Sequence, residues 1–103
     1  MSKQKSGAGR KEIVFRYSRK ADSFFKKHPE IRELFRRNII QCCDGNTDGL
    51  DIRKMSGSRK WMRMAIRKDY RVIYAIVNGQ VIVVEVLLAG NRGEIYQQYQ
   101  NVR

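Results

Sequence analysis

Residues 53–71 carry Arg53, Lys54, Arg59, Lys60, Arg63, Arg67, Lys68 and Arg71, with Asp69 the sole acidic residue among them. Guanidinium and ammonium groups at this density suit phosphate, and arginine can fork onto two phosphate oxygens at once. Trp61 and Tyr70 are interleaved with them, and an unpaired base needs a stacking face as well as nearby cations. The segment therefore points to nucleic acid. The whole chain leans the same way: 22 Lys and Arg against 10 Asp and Glu leave a net charge of +12, more than solubility alone asks for. A membrane surface is the weaker partner, because no long basic amphipathic helix stands out.

Other chemistries find little support. Cys42 and Cys43 are adjacent, which is poor geometry for a bridge between them. With no CxxC pair and His28 the single histidine, neither a zinc site nor an imidazole-based triad is expected. Two thiols at a helix end, one buried and one exposed, fit a reducing, cytoplasmic setting. His28, before Pro29, reads as a surface residue. No metal and no small-molecule cofactor is expected. The early run Ile13-Val14-Phe15 is far short of a secretion signal, and the apolar stretch from Val81 to Ala89 is too short to span a bilayer and contains Glu85.

The elements that must carry the basic residues follow from pattern. Residues 1–10, MSKQKSGAGR, read as a mobile basic tail, and residues 11–103 as one domain. Glu12 to Arg19 partly alternates and suggests a first strand. Asp22 or Ser23 is placed to cap a helix starting near Ala21, with Phe24 and Phe25 on its apolar edge. After Pro29, the residues Ile31, Leu34, Phe35, Ile39 and Cys42 keep helical spacing, and Pro29 suits the first turn of that helix. Residues 44–49, DGNTDG, are turn chemistry. From there the pattern is strand. Met62, Met64 and Ile66 point one way, with Trp61, Arg63, Ala65 and Arg67 the other. Tyr70 to Val77 and Gln80 to Leu88 are β-rich runs separated by the hairpin signal Asn78-Gly79. Gly90 to Gly93 breaks the last run, and Glu94 to Gln100 forms a short terminal helix. The expected fold is α+β: a small antiparallel sheet of about four strands, two N-terminal helices packed on one face, and a short C-terminal helix.

Several phrases taken together resemble the RelE/ParE toxin superfamily. They are Asp51-Ile52-Arg53-Lys54-Met55-Ser56-Gly57, Trp61-Met62-Arg63, Asp69-Tyr70-Arg71-Val72-Ile73-Tyr74, the Asn78-Gly79 hairpin, Gly90-Asn91-Arg92 and Glu94-Ile95-Tyr96. The resemblance covers about residues 12–99. It implies a RelE-like microbial RNase fold and a toxin held in check by a cognate antitoxin protein. RelE-like members cleave mRNA in the ribosomal A site without a metal. The 2′-hydroxyl attacks the adjacent phosphate, giving a 2′,3′-cyclic phosphate and a free 5′-hydroxyl.

Carried over residue by residue, the resemblance makes Arg71 the sheet arginine on the scissile phosphate, Arg92 a second phosphate ligand and Tyr96 the late aromatic. Arg63 falls at the first of two strand lysines, and the second falls at Ala65, a departure for which Arg67 or Lys68 could substitute. Arginine is a poor base, so Tyr96 is the preferred proton acceptor and Glu85 a second choice. Arg53, Lys54, Arg59, Lys60, Trp61, Arg67 and Lys68 are the expected RNA-binding surface, although Trp61 suits packing as well as stacking. Two rivals stand beside the ribosome-dependent endonuclease. One is a ParE-like toxin that poisons DNA gyrase without cutting RNA; the other is an inactive RNA-binding module.

Overall fold

The computed structural model describes residues 11–102, and the proposed 1–10 tail lies outside the described residues. Strand β1 (Ile13–Tyr17) runs into Ser18, which caps helix α1 (Arg19–Lys27). The Ser18 Oγ accepts from the Ala21 N–H at 3.0 Å and donates to the Leu87 carbonyl at 2.6 Å. The helix thus begins before Asp22 and Ser23, the caps expected from sequence. Ser18 has the extended backbone of an N-cap. Asp22 instead falls in the first turn, where its charge suits the helix dipole, and pairs with Lys26 at 3.2 Å.

His28 closes α1, its N–H bonded to the Phe24 and Phe25 carbonyls, and Pro29 opens α2 (Pro29–Cys43). Gly45 (φ 86°) turns the chain out of α2 in the left-handed region that glycine tolerates. Its N–H reaches the Cys42 carbonyl at 2.9 Å. Cys42 and Cys43 are both half-buried, so the expected division into one buried and one exposed thiol does not hold.

The remaining elements are β2 (Asp51–Lys54), β3 (Met62–Ile66), β4 (Tyr70–Asn78), β5 (Ile82–Asn91) and α3 (Arg92–Val102). Together with the helices they make the α+β fold expected from sequence, with two differences in the sheet. It has five strands, in the order β1-β5-β4-β3-β2, and β1 pairs with β5 in parallel. β2 was hidden because Asp51, Arg53 and Lys54 are exposed and give no apolar alternation; charge of this kind is usual on an edge strand. The parallel pair is possible because both helices and three strands intervene, whereas a tight turn permits only an antiparallel one. Asn78 pairs with Ile82, and Gly79 to Val81 connect them, one residue more than a two-residue Asn-Gly turn needs.

The sheet buries both faces, against different helices. Met64, Ile66, Val72, Tyr74, Val84, Val86 and Ala89 pack with Ala21 and Phe25 of α1 and Ile31, Phe35 and Ile39 of α2. Ile73, Leu88 and Met55 pack with Ile95 and Tyr99 of α3. The two N-terminal helices thus share one face, as expected from sequence, and the third lies on the opposite one. A β-bulge makes this possible. Tyr74 pairs with Val86 but Ile73 with Leu88, leaving Leu87 as the extra residue, and each extra residue exchanges the faces of those beyond it. Gly90 and Asn91 do not break β5; they pair with Arg71 and Tyr70, and α3 starts directly at Arg92, whose N–H donates to the Asp69 carbonyl at 2.8 Å. Among the described residues no helix is long and apolar enough to cross a membrane.

Ser18 thus ties the start of α1 to the bulge. Ser18→Ala is expected to lower the unfolding free energy by about 1–2 kcal/mol, measured as a lower urea midpoint with an unchanged slope.

Candidate active site

Cross-strand register places Arg53 opposite Arg63, Arg63 opposite Ile73, and Ala65 opposite Arg71. Directly paired residues share a face, so Arg53, Arg63, Ala65 and Arg71 lie on the side of the sheet that α3 covers. The helix stands on Ile73 and Leu88 and leaves a cleft of about 320 Å³ beside it. Arg53, Lys54, Met55 and Arg63 line this cleft from the sheet side, and Tyr96, Tyr99 and Gln100 from the helix. Arg63 and Tyr96, far apart in sequence, thus meet in one cavity.

Arg63 is not a freely moving cation. It is 7% exposed, and its Nη2 lies 2.8 Å from Asp51 Oδ1. Arg53 Nε lies 3.8 Å from the same oxygen. Two arginines directly opposite on neighbouring strands repel, and the Asp51 carboxylate bridges them. Tyr96 is 43% exposed, accessible to a ligand entering the cleft.

Arg71 lies elsewhere on the same face. Arg71 turns its Nη1 toward the β3–β4 turn, 3.0 Å from the Lys68 carbonyl and 2.8 Å from that of Tyr70. Its Nε–H and Nη2 hydrogens remain for a ligand, since a guanidinium carries five donors. Arg92, at the start of α3, lines a second cleft of about 410 Å³ with Lys68, Asp69, Tyr70, Asn91 and Gly93. Four positions separate Arg92 from Tyr96, so the two share a side of α3 about one turn apart.

The sequence-contiguous basic patch is divided by the fold. Arg53 and Lys54 line the Tyr96 cleft, and Lys68 lines the Arg92 cleft. Lys60 and Trp61 line a third, with Arg16 and Glu85. Arg59 is exposed between β2 and β3. Arg67 is exposed in the β3–β4 turn with a φ of 53°, a left-handed backbone that costs a non-glycine residue roughly 1–2 kcal/mol. Trp61 is half-buried against the α3-side core, with Lys60 Nζ 4.8 Å from its ring centroid.

Glu85, the second-choice proton acceptor, is corrected by this arrangement. It pairs with Lys60 at 2.9 Å and lies outside the cavity that holds Tyr96. Tyr17 and Tyr74 are no substitutes, since burial raises both hydroxyls above the usual tyrosine range. Nor is His28 a plain surface residue: it is half-buried and stacks on Phe24, with centroids 4.4 Å apart. Among the described residues no group of three or more His, Cys, Asp or Glu side chains could hold a metal ion.

With this geometry in hand, the chain can be set beside known proteins. Comparison with protein families finds no match, and comparison with curated proteins finds none either. Among solved structures, the chain is similar to one in the crystal structure of the RelB–RelE antitoxin–toxin complex from Methanococcus jannaschii. The identity is 23%, the match covers 81% of this chain and 96% of that chain, and the TM-score is 0.54. The two share a fold. At this identity the likeness assigns no residue a role.

Arg63 depends on Asp51 for its position. Asp51→Ala is expected to destabilise the protein by about 1 kcal/mol, toward the low end for a charged pair because Asp51 is 54% exposed. Asp48→Ala, at an exposed loop carboxylate, should stay within about 0.5 kcal/mol in the same urea titration.

Proposed function

We propose that this chain is the toxin of a toxin–antitoxin pair, and that it cleaves mRNA at the ribosome by attack of a 2′-hydroxyl on the adjacent phosphate. The observation that carries this reading is the meeting of Arg63 and Tyr96 in one cleft, on the sheet face that also bears Arg71. The likeness to a chain of an antitoxin–toxin complex supports a partner protein of the antitoxin kind, and the basic charge suits the toxin's part. The setting is the cytoplasm, where mRNA and ribosomes are found.

The reaction needs charge stabilisation at phosphorus, an in-line geometry and a proton acceptor. Arg71 and Arg92 supply cations to the phosphate as its charge concentrates. Arg63, fixed by Asp51, positions the RNA backbone beside Tyr96. Tyr96, acting as its phenolate, accepts the 2′-OH proton and becomes the phenol, and the 5′-oxygen leaves with a proton from solvent or a neighbouring donor. Arg53, Lys54, Arg59, Lys60, Trp61, Arg67 and Lys68 hold the flanking RNA and the ribosome.

A second reading rests on Ala65. It lies beside Arg71 on the proposed catalytic face, where the resemblance calls for a lysine. A ParE-like gyrase poison would tolerate that loss. Expression in a bacterial host, followed by mapping of mRNA 5′ ends, separates the two. Cuts inside reading frames support the nuclease, and intact mRNA with DNA damage supports the gyrase poison.

Arg71→Ala and Arg92→Ala are each expected to slow single-turnover cleavage about 100- to 1000-fold. Loss of an ordinary phosphate contact would instead weaken association and flatten its salt dependence. Tyr96→Phe keeps the ring and removes the hydroxyl, and full single-turnover cleavage by this variant would eliminate Tyr96 as proton acceptor.

A further inference from the structure

Strand β1 covers only the first half of β5, its pairs ending at Tyr17 with Val86. Beyond that point α1 and α3 flank the uncovered half of β5, and between them lies a groove of about 830 Å³. Its floor is Ala89, Gly90 and Asn91; Arg19, Lys20, Phe24, Lys27 and His28 line it from the α1 side, and Glu94 and Gln98 from α3. Asn91 also lines the Arg92 cleft, so the two spaces adjoin at that residue.

The lining combines two kinds of group. Arg19, Lys20 and Lys27 line the groove, and Lys68 and Arg92 the adjoining cleft, facing only Glu94 and Asp69 among the acids. Among the described residues, none of these five cations has a carboxylate partner within 4.0 Å. The aromatic component is a ring cluster. His28 stacks on Phe24 at 4.4 Å, and Tyr70 lies 5.5 Å from His28 and 5.8 Å from Phe24. Cations that follow a backbone, beside rings that extend a base stack, are the combination single strands use. An acidic protein segment would answer the cations alone, whereas the half-buried His28 and Phe24, which also pack against the core through Phe24, add the ring faces that bases use.

We infer that the groove between α1 and α3 binds a single-stranded RNA segment, whose backbone follows Lys20 and Lys27 and whose bases stack at Phe24 and His28. The direction of this track, ending at Arg92, rests on the nuclease reading; the ligand class does not. The same strand then continues past Asn91 toward the proposed cleavage site. Lys20, Phe24 and Lys27 keep helical spacing and share one side of α1, which is the sequence signal for this surface.

The test is anisotropy of a fluorescent single-stranded RNA, 2′-O-methylated so that it cannot be cut, titrated with the full-length chain over a range of salt. Lys20→Ala/Lys27→Ala should flatten the log–log salt slope by about 1.4, the value for two single-strand phosphate contacts. His28→Ala should weaken binding about tenfold, as for one lost stacking contact, with circular dichroism confirming the fold. Lys11→Ala/Lys26→Ala removes equal charge outside the groove and should leave a steeper slope than the groove double variant. Equal slopes for the two double variants, or no RNA binding by the wild type, would overturn the proposal. So would groove variants that bind RNA normally but lose affinity for an acidic peptide. Groove variants that weaken RNA binding while the wild type cuts no mRNA would leave the track standing and remove the nuclease reading instead.

Discussion

Strand β5 is the constraint on which the rest depends. It pairs with β1 on one side and β4 on the other, so its backbone holds the sheet together. Its side chains must also satisfy two separate cores. Val84, Val86 and Ala89 enter the α1–α2 layer, and Leu88 enters the α3 layer. Strict alternation along the strand would send Leu88 and Val86 to the same side. The extra residue at Leu87 breaks that parity, and the Ser18 hydroxyl bonds to its carbonyl. Burial of large side chains such as Phe25, Phe35 and Tyr74 then supplies the apolar gain, each on the order of 1.5–3 kcal/mol relative to exposure.

Much of this was legible in the chain. The helical spacing of Ile31, Leu34, Phe35 and Ile39 and the alternation at Met62, Met64 and Ile66 announced the α1–α2 core and the face it meets. The parallel placement of β1 could not be read, because pairing partners that distant leave no local pattern. β2 was invisible because its edge position lets it carry charge. The opposite placement of α3 depended on the bulge at Leu87, and a run as continuously apolar as Val81 to Ala89 does not reveal where its alternation slips.

The candidate site was legible in part. The resemblance singled out Arg63, Arg71, Arg92 and Tyr96, and the register puts Arg63 and Arg71 on one face. The contiguous basic run suggested a single patch, but it passes through an edge strand, a loop, an inner strand and a turn. Consecutive cations therefore point into separate clefts. The burial of Arg63 against Asp51 was equally hidden, since it depends on β2 lying beside β3. Conversely, the cations of α1 were overlooked because the phenylalanines beside them drew that helix into the core.

The parallel pairing of β1 with β5 also sets an order of assembly during synthesis. Ile13 has its partner in Ile82, so the first strand emerges long before the strand it must join. Until β5 is made, Phe25 and Phe35 lack Val84 and Val86, and α3 has no Leu88 to stand on. Contacts this distant are slow to close, because the intervening loop must lose its entropy before any contact rewards it. The hairpins among β2, β3 and β4 can form earlier, from local contacts alone. The cleft that joins Arg63 to Tyr96 therefore exists only after nearly the whole described chain has been translated.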